Sequence, residues 1–177
     1  MTRMPSVTRI ALLLASLLIA PGVGAQSDDY QEASKLFRSG QPAQALERVD
    51  NFLKGNPKNA RARFLKGLIL TEQNKPADAI NLFTGLTEDF PELPEPYNNL
   101  AVLQASLGQY DKARAALEIA IRTHPSYATA HENLGDIYAK MASQAYDKAL
   151  QLDKTNSAAQ TKLKLINELF SSSTRPR

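Results

Sequence analysis

The stretch PEPYNNLAVLQASLGQYDKARAALEIAIRTHP, residues 94–125, reads as two helices joined back to back. Pro94 and Pro96 stand before or within a first helical turn, where the N–H that proline lacks would have no partner anyway. Tyr97, Leu100, Ala101, Gln104 and Leu107 follow at spacings of three and four, the stripe of an amphipathic helix. Gly108 is placed to end it in a left-handed conformation. A second helix over about Tyr110 to Thr123 then aligns Ala113, Leu117, Ala120 and Ile121, and Pro125 stops it. The small side chains of Ala101 and Ala113 let the two backbones approach closely.

The same plan recurs upstream. Ala45, Ala79 and Ala113 fall 34 residues apart, as do Pro57, Pro91 and Pro125. Two landmarks sharing one period mark a solenoid built from one supersecondary element per unit. In the second unit, Ala62 to Gln73 forms the first helix, with Gly67 as its small contact. Asn74-Lys75 turns the chain, and Pro76 opens a helix carrying Ala79, Ile80, Leu82, Phe83 and Leu86. In the first unit, Asp28 or Asp29 caps a helix with Tyr30, Ala33, Leu36 and Phe37; Gly40-Gln41 turns, and Pro42 opens the next. Gly40, Asn74 and Gly108 superimpose, and each tolerates positive φ.

These residues resemble the tetratricopeptide repeat family. Tyr97, Leu100, Ala101, Ala113, Leu117, Ala120 and Pro125 carry the likeness, with Gly67, Ala79, Phe83, Leu86 and Pro91 one period earlier. Ala33, Ala45, Val49, Phe52 and Pro57 match in the first unit. The resemblance implies an all-α, right-handed α-solenoid of helix-turn-helix repeats whose concave face binds peptides or proteins.

A fourth period starts with His131, Leu134, Gly135 and Tyr138, and then its turn goes missing. Ala142, Tyr146 and Ala149, the counterparts of second-helix residues, arrive about five residues early. One fused helix from about Ala128 to Leu152 is therefore expected. Leu134, Tyr138, Met141, Ala145, Lys148/Ala149 and Leu152 trace a seam with a period near 3.5 along it. That helix admits two readings: closure of the superhelix, or a coiled-coil-like seam for a homodimer. A final helix from about Ala158 to Phe170, with Ser157 and Gln160 as its capping box, presents Ala159, Leu163, Ile166 and Phe170 to cover the open end. The expected organisation is a signal at 1–25, repeats at 26–57, 58–91 and 92–125, a degenerate fourth at 126–153, a capping helix at 154–170 and a disordered tail at 171–177.

The signal reading rests on Arg3 and Arg9, the apolar run from Ile10 to Ala20, Pro21-Gly22, and small residues before Gln26. The run is about half of the roughly 20 residues that a spanning helix needs. Cleavage between Ala25 and Gln26 is expected, leaving no stable membrane anchor and a soluble periplasmic protein; the other reading is a segment retained as an N-terminal anchor. Losing the signal removes two of 21 basic residues against 18 acidic ones, so the near-neutral remainder gives no case for nucleic acid. The absence of cysteine excludes disulfides, thiol catalysis and lipidation on a cysteine after the signal.

No HExxH, GxSxG, phosphate-cradling loop or metal-spaced cluster occurs, so neither an enzyme nor a cofactor is expected. His124 and His131 read as structural, and Asp28-Asp29 and Glu88-Asp89 as helix-end acids. By the family's geometry, the inner groove takes Tyr30, Phe37, Arg61, Phe64, Leu68, Asn98, Val102, Glu132 and Asp136. Some members grip a carboxyl terminus there with lysine and asparagine pairs; Tyr30/Ser34, Phe64/Leu68 and Asn98/Val102 fill those slots, so that clamp is absent. Asn99 and Asn133 are read as packing residues. An apolar strip at one end and acidic residues at the other leave two readings: a groove for a protein or peptide segment of the cell envelope, or aromatics packed between repeats. The other class of function is an accessory subunit of an envelope assembly, engaged through its convex face or long helix.

Overall fold

The computed structural model describes residues 28–172, which form α1 (Asp28–Arg38), α2 (Pro42–Gly55), α3 (Ala60–Glu72), α4 (Pro76–Asp89), α5 (Pro94–Ser106), α6 (Tyr110–Thr123), α7 (Ala128–Leu152) and α8 (Ser157–Ser172). Among the described residues there is no strand. Pro42, Pro76 and Pro94 each sit in a first helical turn. Gly40, Asn74 and Gly108 are left-handed, at φ 75°, 55° and 72°. At each, the following amide reaches five residues back: Gln41 to Leu36, Lys75 to Leu70 and Gln109 to Gln104, all at 2.9 Å. Three turns of one kind thus satisfy the carbonyls that a helix end leaves open.

The junctions between hairpins are equally regular. The amides of Asn56, Phe90 and His124 donate to Phe52, Leu86 and Ala120, and three residues later Asn59, Leu93 and Tyr127 donate back to them. Asp153 and Asn156 repeat this pair of bonds through Ala149. They do so 29 residues after His124 rather than 34. The chain resumes its pattern five residues early, so the end of α7 is the end of a second helix.

Two helix starts differ from expectation for one reason. The Asn59 side chain accepts from the Ala62 amide at 3.0 Å and starts α3 at Ala60, not Ala62. Asn156 does the same for Ala159 at 2.9 Å, so Ser157 lies inside α8 and makes no capping box with Gln160. Gln160 instead donates to the Lys154 carbonyl at 2.8 Å. The cap falls on the asparagine, and the serine one residue later takes the first helical position. Ser171 and Ser172, expected in the tail, continue α8.

Helices pack in sequence: α1 on α2, α3 on α4, α5 on α6, each second helix on the next first helix, and α7 on α8. First helices also touch, α1 with α3 and α5 with α7, forming one layer of the solenoid. Ala33, Ala45 and Val49 centre one core, Ala79, Phe83 and Leu86 the next, and Ala113, Leu117 and Ala120 the third. Gly67 accepts the Phe83 ring against its backbone. Leu107, placed on the α5 stripe by spacing, caps that helix and is half exposed. Asp89 lies in the last turn of α4, where the helix dipole repels a carboxylate, and is offset by an ion pair with Arg63.

α7 is one helix of 25 residues, about 37 Å long. Its first half buries Ala130, Asn133 and Ile137, with Leu134 and Met141 packed beside them. Of the other residues on the expected seam, Tyr138 is 50% exposed and Leu152 78% in the single chain. The second half turns a different side to α8, with Lys140 over the Phe170 ring at 3.8 Å and Lys162 over Tyr146 at 5.5 Å. α8 occupies the first-helix position of a further unit: its buried Ala159 follows the Asn156 cap as buried Ala62 follows Asn59.

Candidate protein-binding face

The first helices carry every residue expected to line the groove, and they place those residues at different depths. Tyr30 tilts against Phe52 with ring centroids 5.8 Å apart. Burial pushes its phenol above the usual tyrosine value, and the charges of Arg61 and Arg38 oppose this. Phe37 is half-buried between the first two cores. Phe64 meets Phe83 edge-on at 5.6 Å. Leu68, assigned to the groove by its spacing, is only 2% exposed and belongs to the core. Its neighbours on both α3 and α4 close over it, because a first helix packs against its own partner and the adjoining unit at once.

Asn98 is also withdrawn from the groove. It is 5% exposed, and its Oδ1 accepts from Asn133 Nδ2 at 2.8 Å across the α5–α7 contact. A buried amide needs such a partner, and each asparagine supplies the other's. Asn99 stays local, donating to the Glu95 carbonyl at 2.9 Å. His131 and the Pro125 carbonyl lie 3.0 Å apart, and His124 pairs with the Ser126 hydroxyl at 3.2 Å, so both histidines close turns.

Val102 on α5 remains half-buried, while Glu132 and Asp136 on α7 are exposed. Glu132 and Asp136 stand four residues apart on one helix, where like charges repel. Desolvation, then the Glu132 charge, holds the Asp136 carboxyl above the usual carboxylate range, with Lys140 opposing. Nearby, burial and the Glu95 charge push the Tyr127 phenol to about 12. The inner face thus grades from half-buried aromatics on α1 and α3 to surplus negative charge on α5 and α7.

Two open depressions lie off this face. One, about 800 Å³, is bounded by charged residues of α1 and α2, including Asp29, Arg38 and Arg48. The other, about 450 Å³, runs between α7 and α8 beside Leu150 and Leu163. Their open, charged or shallow walls do not enclose a small molecule. Among the described residues, no group of three His, Asp or Glu could hold a metal, and no helix is long and apolar enough to cross a membrane. The expected cleavage at Ala25 and Gln26, and the tail beyond Ser172, lie outside the described residues.

Two family descriptions, both "Tetratricopeptide repeat", match residues 30–94 and 70–134. Together they span more than half of the chain. The tetratricopeptide repeat domain-containing protein PYG7, chloroplastic, of Arabidopsis thaliana is 36% identical over 76 residues, covering 40% of this chain and 25% of its own length. Superkiller protein 3 of Saccharomyces cerevisiae is 35% identical over 78 residues, 44% of this chain and 5% of its own. The chain therefore spans a quarter or less of these relatives. Among solved structures, the Thermus thermophilus repeat protein TTC0263 superposes with a TM-score of 0.61 at 20% identity, covering 80% of this chain and 81% of its own. The second repeat domain of human RPAP3, solved with the HSP70 peptide SGPTIEEVD, gives 0.58 at 15% identity, covering 62% and 92%. At these identities the superpositions speak for the fold.

Proposed function

Because the chain belongs to the tetratricopeptide repeat family, we propose that it is a non-enzymatic interaction scaffold that holds a segment of a partner protein along its inner face. The observation that carries the reading is the gradient on that face, from Tyr30, Phe37 and Phe64 through Val102 to the adjacent carboxylates of Glu132 and Asp136. A complementary segment is apolar at one end and basic at the other. Human RPAP3 was solved with a peptide ending in acidic residues. Beside Glu132 and Asp136, charge of that sign would be repelled. Apolar anchors in such a contact supply most of the affinity, and complementary charge fixes the direction of the segment.

The reading extends to location: the partner is an envelope protein, and the chain acts in the periplasm after cleavage before Gln26. Its support is the signal-like residues 1–25 and the absence of cysteine. N-terminal sequencing of periplasmic protein tests this, and a chain retained in the cytoplasm with Met1 intact would end it.

The face itself is tested by a photo-crosslinking amino acid at Val102 or, on the opposite layer, at exposed Glu118 of α6. Phe64 is less suitable, since its ring supports Phe83. Partner adducts at Val102 that disappear with Glu132→Lys/Asp136→Lys are expected. Adducts at Glu118 alone would transfer the function to the convex side.

A further inference from the structure

Every complete hairpin closes with the same pair. A small residue on the first helix receives a larger one sixteen positions later: Ala33 with Val49, Gly67 with Phe83, Ala101 with Leu117. Unit four carries both halves of that pair. Gly135 stands 34 residues after Ala101, and Tyr146 stands 29 after Leu117. The shorter step is the one fixed independently by the backbone bonds at Asp153 and Asn156. Gly with Tyr repeats the combination of Gly67 with Phe83.

On one unbroken helix the two halves cannot meet. Gly135 and Tyr146 are eleven residues apart, about 16 Å along the axis. Both sites accordingly fall short of their counterparts. A Cβ at Gly135 would find nothing within 4 Å. Ala142, Tyr146 and Ala149 are only partly buried, whereas Ala113, Leu117 and Ala120 are at 0%, 1% and 0% exposure. Eleven residues also complete three helical turns to within about 20°. The glycine notch and the tyrosine therefore lie on one side of α7, apart from the Leu134 and Met141 side held by the third core.

We propose that α7 pairs antiparallel with α7 of a second copy, the Tyr146 ring of each seating on Gly135 of the other. The contact is isologous, so a single two-fold axis between Lys140 and Met141 satisfies both notches. It rebuilds the fourth hairpin twice, in trans. α8 stays on its own α7, because in complete units a second helix packs against its own first helix and the next one together, as α6 does with α5 and α7. The occupant is set by the chain itself: deleting a hinge prevents its two sides from folding back on each other and leaves exchange as the way to close them.

Sedimentation velocity on the purified chain reads the test. The expected result is a dimer at micromolar concentration. Gly135→Leu is harmless to an exposed helix but fills the notch, so it raises the dimer Kd at least about tenfold with helicity retained. Inserting Gly-Gln-Tyr-Asp-Lys, the sequence of residues 108–112, between Met141 and Ala142 restores the 34-residue period and yields a monomer. A parent chain that stays monomeric, or a dimer that withstands either change, overturns the pairing.

Discussion

Phe83 rests on the bare backbone of Gly67: a Cβ on that glycine would lie 2.6 Å from the Phe83 Cζ and 2.7 Å from Cε1. One period away on either side the pair is Ala33 with Val49 and Ala101 with Leu117. At each site a larger side chain on the second helix is matched by a small residue on the first.

Gly67→Ala gains helix propensity and still destabilises the fold, by about 1–3 kcal/mol, because the fully buried Phe83 ring has to shift to admit the methyl group. Adding Phe83→Leu recreates the Ala101–Leu117 pair. The double variant should recover part of the loss, and denaturant melts of the four combinations give the coupling energy directly. Additive losses would remove the proposed complementarity.

Asn133→Ala strands the buried Oδ1 of Asn98 and should cost about 1–3 kcal/mol. Adding Asn98→Ala should cost less than the sum of the two single changes, since it removes the orphaned acceptor. Thermal melts check this, with Asn99→Ala as a partly buried control close to neutral.

The first-turn bonds of α8 assign its cap to Asn156. Asn156→Ala should raise hydrogen exchange through the first turn of α8, a loss of about 1 kcal/mol. Ser157→Ala should leave it unchanged. A reversed order would restore the capping box that the sequence suggested.

Asp136 and Asp153 drive stability with pH in opposite senses. Asp136 has a raised carboxyl in the fold, from burial first and Glu132 second, so its contribution is present in acid and lost as pH rises through that raised value. Bonds from the Thr155 side chain and amide lower the Asp153 carboxyl, so its contribution is present at neutral pH and lost as pH falls through the lowered value. Asp136→Asn should stabilise at pH 7, and Asp153→Ala should destabilise slightly. Both differences from the parent chain should shrink on acidification, which melts at pH 7 and below 4 would follow.

The solenoid was legible because its punctuation is chemical. Pro42 and Pro76 mark helix starts, and Gly40, Asn74 and Gly108 mark left-handed turns, whatever surrounds them. The missing turn after Met141 was legible for the same reason, as an absence of such residues. Depth was not. Leu68 and Asn98 share the groove register with Val102, yet they are buried and Val102 is not. A first helix here touches its own partner, the preceding second helix and another first helix, so its buried arc exceeds the one stripe that periodicity reports. The asparagine caps at 59 and 156 were obscured differently: small polar residues crowd both junctions, and only backbone geometry selects among them.

The five residues absent from α7 matter beyond shape. Three hairpins close at any dilution, because both halves of each share a chain. With the fourth closed only by a second molecule, its stability follows mass action and rises with the amount of protein present. Abundance then becomes a structural variable at one end of the molecule and not at the other: scarce chains leave the fourth unit open, and plentiful ones close it.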